Sequence, residues 1–92
     1  MTAPLAGTVP RVAPKARLEW DEVRQRHVLL YPEGLVALNP TAAEVLKLCD
    51  GQRAVTQIVE TLKQRYRAEQ IEAEVATFLS NLAAKGLVTY VR

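Results

Sequence analysis

With 92 residues, 49% of them hydrophobic, the chain has material for one domain with a single modest core and no roomy catalytic cleft. Its net charge of +2, from 12 basic and 10 acidic residues, is a slight excess and not the concentrated basic face of a nucleic-acid binder. The single cysteine excludes an intrachain disulfide, and with no signal segment and no apolar run approaching ~18 residues a soluble cytoplasmic protein is the default expectation.

Residues 1–14 carry Pro4, Gly7, Pro10 and Pro14 among few large apolar side chains, which predicts a flexible tail ordered only by lying on something, for instance a second copy of the chain. From Lys15 the pattern alternates. Leu18 and Trp20 fall on one face and Arg17, Glu19 and Asp21 on the other, as in a half-buried strand whose Trp20 anchors the sheet face. His27 to Tyr31 forms a second strand. Tyr31-Pro32-Glu33-Gly34 then makes a tight turn, with Pro32 presetting φ and Gly34 free to take a positive one. The third strand, Leu35 to Leu38, carries no charge.

Three short strands need something packed on one face, and three helices supply it. The first is expected from about Ala42 to Cys49, capped by the box Thr41-Ala-Ala-Glu44 and ended by Asp50-Gly51. The second runs from about Thr56 to Tyr66, with Ile58, Val59, Leu62 and Tyr66 on one stripe. The third, about Glu69 to Lys85, aligns Ile71, Val75, Phe78, Leu79 and Leu82; Glu69, Glu72 and Lys85 agree with its dipole, and Gly86 is the expected left-handed C′ residue. Leu87 to Val91 returns as a short strand or extended tail. The expected fold is α+β, a three-stranded antiparallel sheet followed by a three-helix bundle, winged-helix-like, with residues 15–92 forming the domain.

Catalytic chemistry finds little footing. His27 has no second ligand at metal-binding spacing, Cys49 has no neighbouring base, and there is no phosphate loop, C-x-x-C or H-E-x-x-H. A winged-helix DNA reader would use the third helix, but Glu69, Glu72 and Glu74 crowd the end that would meet phosphates. Lys63, Arg65 and Arg67 gather instead at the end of the second helix. The third strand is the distinctive feature: at the edge of a meander it has none of the lysines or internal prolines that block an edge, so a peptide could add to it antiparallel. Permanent cover by the third helix or by a second copy is the alternative, and the residues leave both open. A proline at Val36 is expected to abolish the edge pairing.

The stretch Leu35 to Asn39 leading into Ala42 to Gly51, then Ile58, Val59 and Leu62, then Val75, Phe78, Leu79 and Leu82 before Gly86-Leu87-Val88, resembles the PqqD family of peptide chaperones in pyrroloquinoline quinone biosynthesis. The resemblance spans about Lys15 to Val91. One departure is Ala54, where relatives often carry Thr or Ser as the second helix's cap, which suggests a cap shifted to Thr56. The resemblance implies a noncatalytic protein without cofactor or metal. It would bind the precursor peptide PqqA and present it to PqqE, a radical S-adenosylmethionine enzyme that joins a glutamate and a tyrosine of that peptide. By position, Leu35, Val36, Ala37 and Leu38 would supply the pairing edge, and Val75, Phe78 and Leu82 the apolar wall. A nucleic-acid-binding domain and a purely structural dimer, formed through the tail and the open edge, are the rivals.

Overall fold

The computed structural model describes residues 7–66 and 70–91. Along the chain these form β1 (Pro10–Val12), β2 (Arg17–Asp21), β3 (Arg26–Tyr31), β4 (Gly34–Ala37), α1 (Pro40–Leu48), α2 (Val55–Arg65), α3 (Ile71–Ala84) and β5 (Val88–Tyr90). Strands β2, β3 and β4 make an antiparallel sheet in that order, and β1 pairs with β5 in a separate two-stranded ribbon. The α+β expectation of a three-stranded sheet followed by three helices holds. No helix among the described residues is long and apolar enough to cross a membrane.

The expectation of a loose tail through residue 14 is corrected from residue 8 onward. Pro10 lies opposite Tyr90 and Val12 opposite Val88, and Pro10 and Ala13 are buried. The segment is tied along its length: Val55 N–H donates to Thr8 O (2.9 Å), Val91 N–H to Val9 O (2.8 Å), Gly51 N–H to Pro10 O (3.1 Å) and Ala13 N–H to Leu87 O (2.8 Å). What orders it is the chain's own C-terminal strand together with the segment joining α1 to α2. Residues 1–6 lie outside the described residues.

The core joins one face of the sheet to the apolar stripes of the helices. Leu29 of β3, Ile58 and Leu62 of α2, Leu79 of α3 and Leu87 are fully excluded from solvent. Val45 and Leu46 of α1 and Ile71, Val75 and Leu82 of α3 complete the same cluster. Spacings of three and four residues put these side chains on one face of each helix, and burying them is what holds an otherwise marginal three-stranded sheet.

Helix ends differ from expectation at the start and agree at the finish. The cap of α1 is Asn39, whose side chain accepts the Ala42 N–H at 2.7 Å, with Pro40 in the first turn. Thr41 is therefore already helical, and the expected Thr41–Glu44 box does not form. Proline suits the first helical position because its missing N–H has no intrahelical role there. Ala54 precedes α2 without a side-chain cap; in place of the expected shift to Thr56, Gln57 Oε1 reaches back to accept the Ala54 N–H at 2.7 Å. Helix α3 closes as expected. Gly86 has φ 74°, its N–H donates to Ala83 O, and Leu87 N–H donates to Leu82 O at 2.9 Å, the paired bonds of a Schellman ending. Glu69 and Arg67 lie outside the described residues.

Candidate functional site

Strand β4 has one neighbour, β3, so its other side is an edge. The register pairs Tyr31 with Gly34, Leu30 with Leu35, Leu29 with Val36 and Val28 with Ala37. Beyond the strand, Leu38 donates its N–H to His27 O at 3.0 Å. In an antiparallel ladder the bonded pairs alternate, so His27–Leu38 and Leu29–Val36 face each other through their backbones. The N–H and C=O groups of Leu35 and Ala37 consequently point away from β3. The expectation for Val36 is thereby corrected: its backbone is spent inside the hairpin, and the free groups belong to its two neighbours.

The two edges of the sheet are unlike. Strand β2 carries Arg17 and Glu19, paired at 3.1 Å, and Asp21, bound to Arg24 at 2.6 Å. Charge of this kind blunts an edge against a further strand. Strand β4, Gly-Leu-Val-Ala, offers no such obstacle. Leu35 is 38% exposed and Ala37 is also exposed, while Val36, opposite fully buried Leu29, packs against the core.

The proposed wall on α3 divides in the same manner. Val75 and Leu82 are buried, at 1% and 3% exposure, and so is Leu38 at 2%; these three serve the core. Phe78 is half-buried at the margin of the stripe. It borders a narrow groove of about 110 Å³ between the start of α1 and α3, lined by Asn39, Thr41, Ala42, Val45, Glu74 and Val75. On its other side Phe78 borders a shallow depression with Gln70, Ala73, Thr77 and Asn81. Phe78 is thus an apolar ridge, with Val75 at the base of one flank. Asn39, two residues beyond Ala37, brings the end of the β4 edge to this groove. The sequence reading missed Asn39, Ala42 and Glu74 as groove residues, because their placement depends on how α1 docks against α3.

Neither nucleophile nor metal chemistry assembles here. Among the described residues no cluster of three or more His, Cys, Asp or Glu is placed to hold a metal ion. Cys49 is buried, and burial, with Asp50 adding to it, pushes its thiol up to about 12, far from the reactive thiolate. His27 meets Trp20 edge-on, with ring centroids 5.0 Å apart. Trp20, expected to anchor the sheet face, is instead 48% exposed.

The chain has relatives of known family and fold. The family profile "Coenzyme PQQ synthesis protein D (PqqD)" matches residues 26–88. A "PqqA binding protein" from Methylococcus capsulatus (strain ATCC 33009 / NCIMB 11132 / Bath) is 43% identical over 81 residues, 88% of this chain and 87% of the relative. Among solved structures, the solution structure of the PqqD truncation of Methylobacterium extorquens PqqCD, described as a functional and stand-alone recognition element for ribosomally synthesised, modified peptides, superposes with a TM-score of 0.81 at 43% identity over 96% of both chains. TbiB1 in complex with the TbiA(beta) leader peptide shares the fold, with a TM-score of 0.71 at 20% identity over 85% of this chain and 93% of that one.

Proposed function

The chain belongs to the PqqD family, and on that premise we propose that it is a noncatalytic recognition module that binds the precursor peptide PqqA and presents it to the radical S-adenosylmethionine enzyme PqqE. The observation that carries this is the charge-free β4 edge, whose Leu35 and Ala37 backbone groups face outward and whose end meets the Phe78 groove. An extended peptide gains main-chain hydrogen bonds from such an edge and specificity from side chains set into an adjoining pocket. The name of the 43%-identical relative, PqqA binding protein, supports the same ligand, and the stand-alone recognition element described for the M. extorquens domain supports a separate, noncatalytic role.

Within this proposal Leu35 and Ala37 supply the pairing groups and Phe78 the apolar contact. Val36, Leu38, Val75 and Leu82 hold the edge and the ridge in position from beneath. The test is a titration of isotopically labelled chain with PqqA, following backbone amides. The largest shifts are expected at Leu35, Ala37, Asn39 and Phe78. Unmoved signals at high peptide excess would overturn the proposal, and binding of duplex DNA at low salt would favour the nucleic-acid alternative, which Glu72 and Glu74 in the first turn of α3 oppose.

A further inference from the structure

A second concavity lies across α1 from the Phe78 groove. It has a volume of about 560 Å³ and is bounded by Trp20, Arg26 and His27 at the far end of the β2–β3 hairpin, by Ala43 and Lys47 of α1, and by Tyr66 after α2. Ala43 and Lys47 occupy one side of α1, while Thr41 and Val45, which border the Phe78 groove, occupy the other. Helix α1 therefore lies between the two grooves, which share Asn39 at its N-terminal end.

Three properties define what this second groove would take. Its aromatic side is held in place without being buried: Trp20 donates its indole N–H to Glu22 Oε2 at 2.6 Å and meets His27 at an interplanar angle of 75°. A fixed, half-exposed Trp is the type of side chain that anchors protein interfaces. Its floor is apolar, with Leu38 and Ala43 buried. Its rim is cationic. The one carboxylate of the lining, Glu44, is paired with Arg65, whereas neither Arg26 nor Lys47 has an ion-pair partner among the described residues.

We infer that this groove docks an acidic segment of the modifying enzyme, one in which an aromatic or aliphatic side chain adjoins a carboxylate. The apolar side chain would lie against Trp20 and Tyr66, and the carboxylate would meet Arg26 and Lys47. The inference rests on the proposed presenting role, since it assigns the enzyme the surface across α1 from the Phe78 groove. Charge complementarity at an exposed rim acts chiefly on encounter and weakens with salt.

Trp20 is the chain's only tryptophan, so its indole N–H gives a single-site signal in the labelled full chain. Titration with PqqE is expected to shift or broaden that signal together with the Ala43 and Lys47 amides, with PqqA present or absent. The double variant Arg26→Glu, Lys47→Glu, both positions exposed, is expected to lose about tenfold or more in PqqE affinity while its spectrum and its PqqA binding stay as in the parent. Several results would overturn the inference: Trp20 unmoved by PqqE, Trp20 shifted by PqqA alone, or PqqE affinity unchanged in the double variant. Failure of PqqA to shift Leu35 and Ala37 while PqqE still moves Trp20 would instead remove the presenting role and leave the docking surface standing.

Discussion

Leu38 donates its backbone N–H to the carbonyl of His27 at 3.0 Å, and this one bond sets the phase of the whole β4 edge. Counting back in twos makes Val36 an inward-bonded residue opposite Leu29, and leaves Leu35 and Ala37 with their donors and acceptors toward solvent. Proline substitution separates the two classes. Ala37→Pro removes an outward N–H, which an edge strand tolerates, so the variant is expected to fold and to lose about tenfold or more in PqqA affinity, taking ~1 kcal/mol or more for a lost backbone bond. Val36→Pro breaks the β3–β4 ladder and should lower the thermal midpoint clearly. Circular dichroism melts beside calorimetric titrations check both, and full peptide affinity in folded Ala37→Pro would exclude strand addition at this position.

Burial separates the side chains of α3 in the same way. Leu82 is 3% exposed, and Leu82→Ala should cost about 2–5 kcal/mol of stability through lost burial and the cavity left behind. Phe78 is only half-buried. Phe78→Ala should cost less stability and more peptide affinity, a ratio measurable by urea unfolding and titration on the same samples. Equal losses of affinity in the two variants, after correction for the unfolded fraction, would show that Phe78 acts through packing alone.

Much of this was legible in the residues, and the failures have identifiable physical causes. The strands and helices follow from period-two and period-3.6 patterns whose apolar members became the core, as with Leu29, Ile58, Leu62 and Leu79. The edge phase was also within reach, since a two-residue turn at Pro32-Glu33 makes Tyr31 and Gly34 the closing pair and Val36 an inward residue by counting. The expected cap of α1 was two residues late, because Asn39 suits an N-cap as well as Thr41 does. Local pattern favoured Thr41 and Glu44, whereas the folded chain uses Pro40 as a helix start and engages Glu44 with Arg65 of α2. Strand β1 was illegible for a different reason. Three residues give almost no periodic signal, and their partner, Val88–Tyr90, lies at the opposite end of the chain.

That distant pairing predicts a cost for shortening the N-terminus. Removing residues 1–13 strips the hydrogen bonds from Val55, Gly51, Val91 and Ala13 that cross to or from the segment and uncovers buried Leu87 and Val88. At ~1 kcal/mol per bond the loss is on the order of 3–5 kcal/mol, a large part of the stability of a domain this size, typically ~5–15 kcal/mol. The truncated chain should melt well below the intact one and expose more amides to hydrogen exchange along β5. An unchanged midpoint would mean that the ribbon contributes little to the fold.

Acid should weaken two local structures. Asp21 accepts a side-chain bond from Arg24 and backbone N–H groups of Val23 and Arg24, and the Arg24 bond is the leading cause that holds its pKa below the ordinary carboxylate value. Asp50 is lowered in the same direction, first by the Gln52 N–H and then by the charge of Arg53. A lowered folded-state pKa means stability that is present above the unfolded value of ~3.9 and lost as pH falls through the folded one. Asp50→Asn should therefore flatten the acid side of the stability curve. A parent-like acid slope in that variant would assign the loss to other carboxylates.

At alkaline pH the controlling group is Cys49, whose thiol is shielded chiefly by burial and secondarily by the neighbouring Asp50 charge. Because its folded pKa is raised to about 12, the unfolded chain gives up this proton first. Its contribution to stability is complete below the unfolded thiol pKa of ~8.5 and declines as pH rises from there toward the folded value. Cys49→Ala should reduce that decline, with a modest cost for lost packing at all pH values. The same burial predicts that a thiol reagent at pH 8 labels the native chain slowly and the urea-unfolded chain at the rate of a free cysteine. Rapid labelling of the folded chain would mean that the segment joining α1 to α2 opens readily, and that Cys49 reports this opening instead of sitting in a closed core.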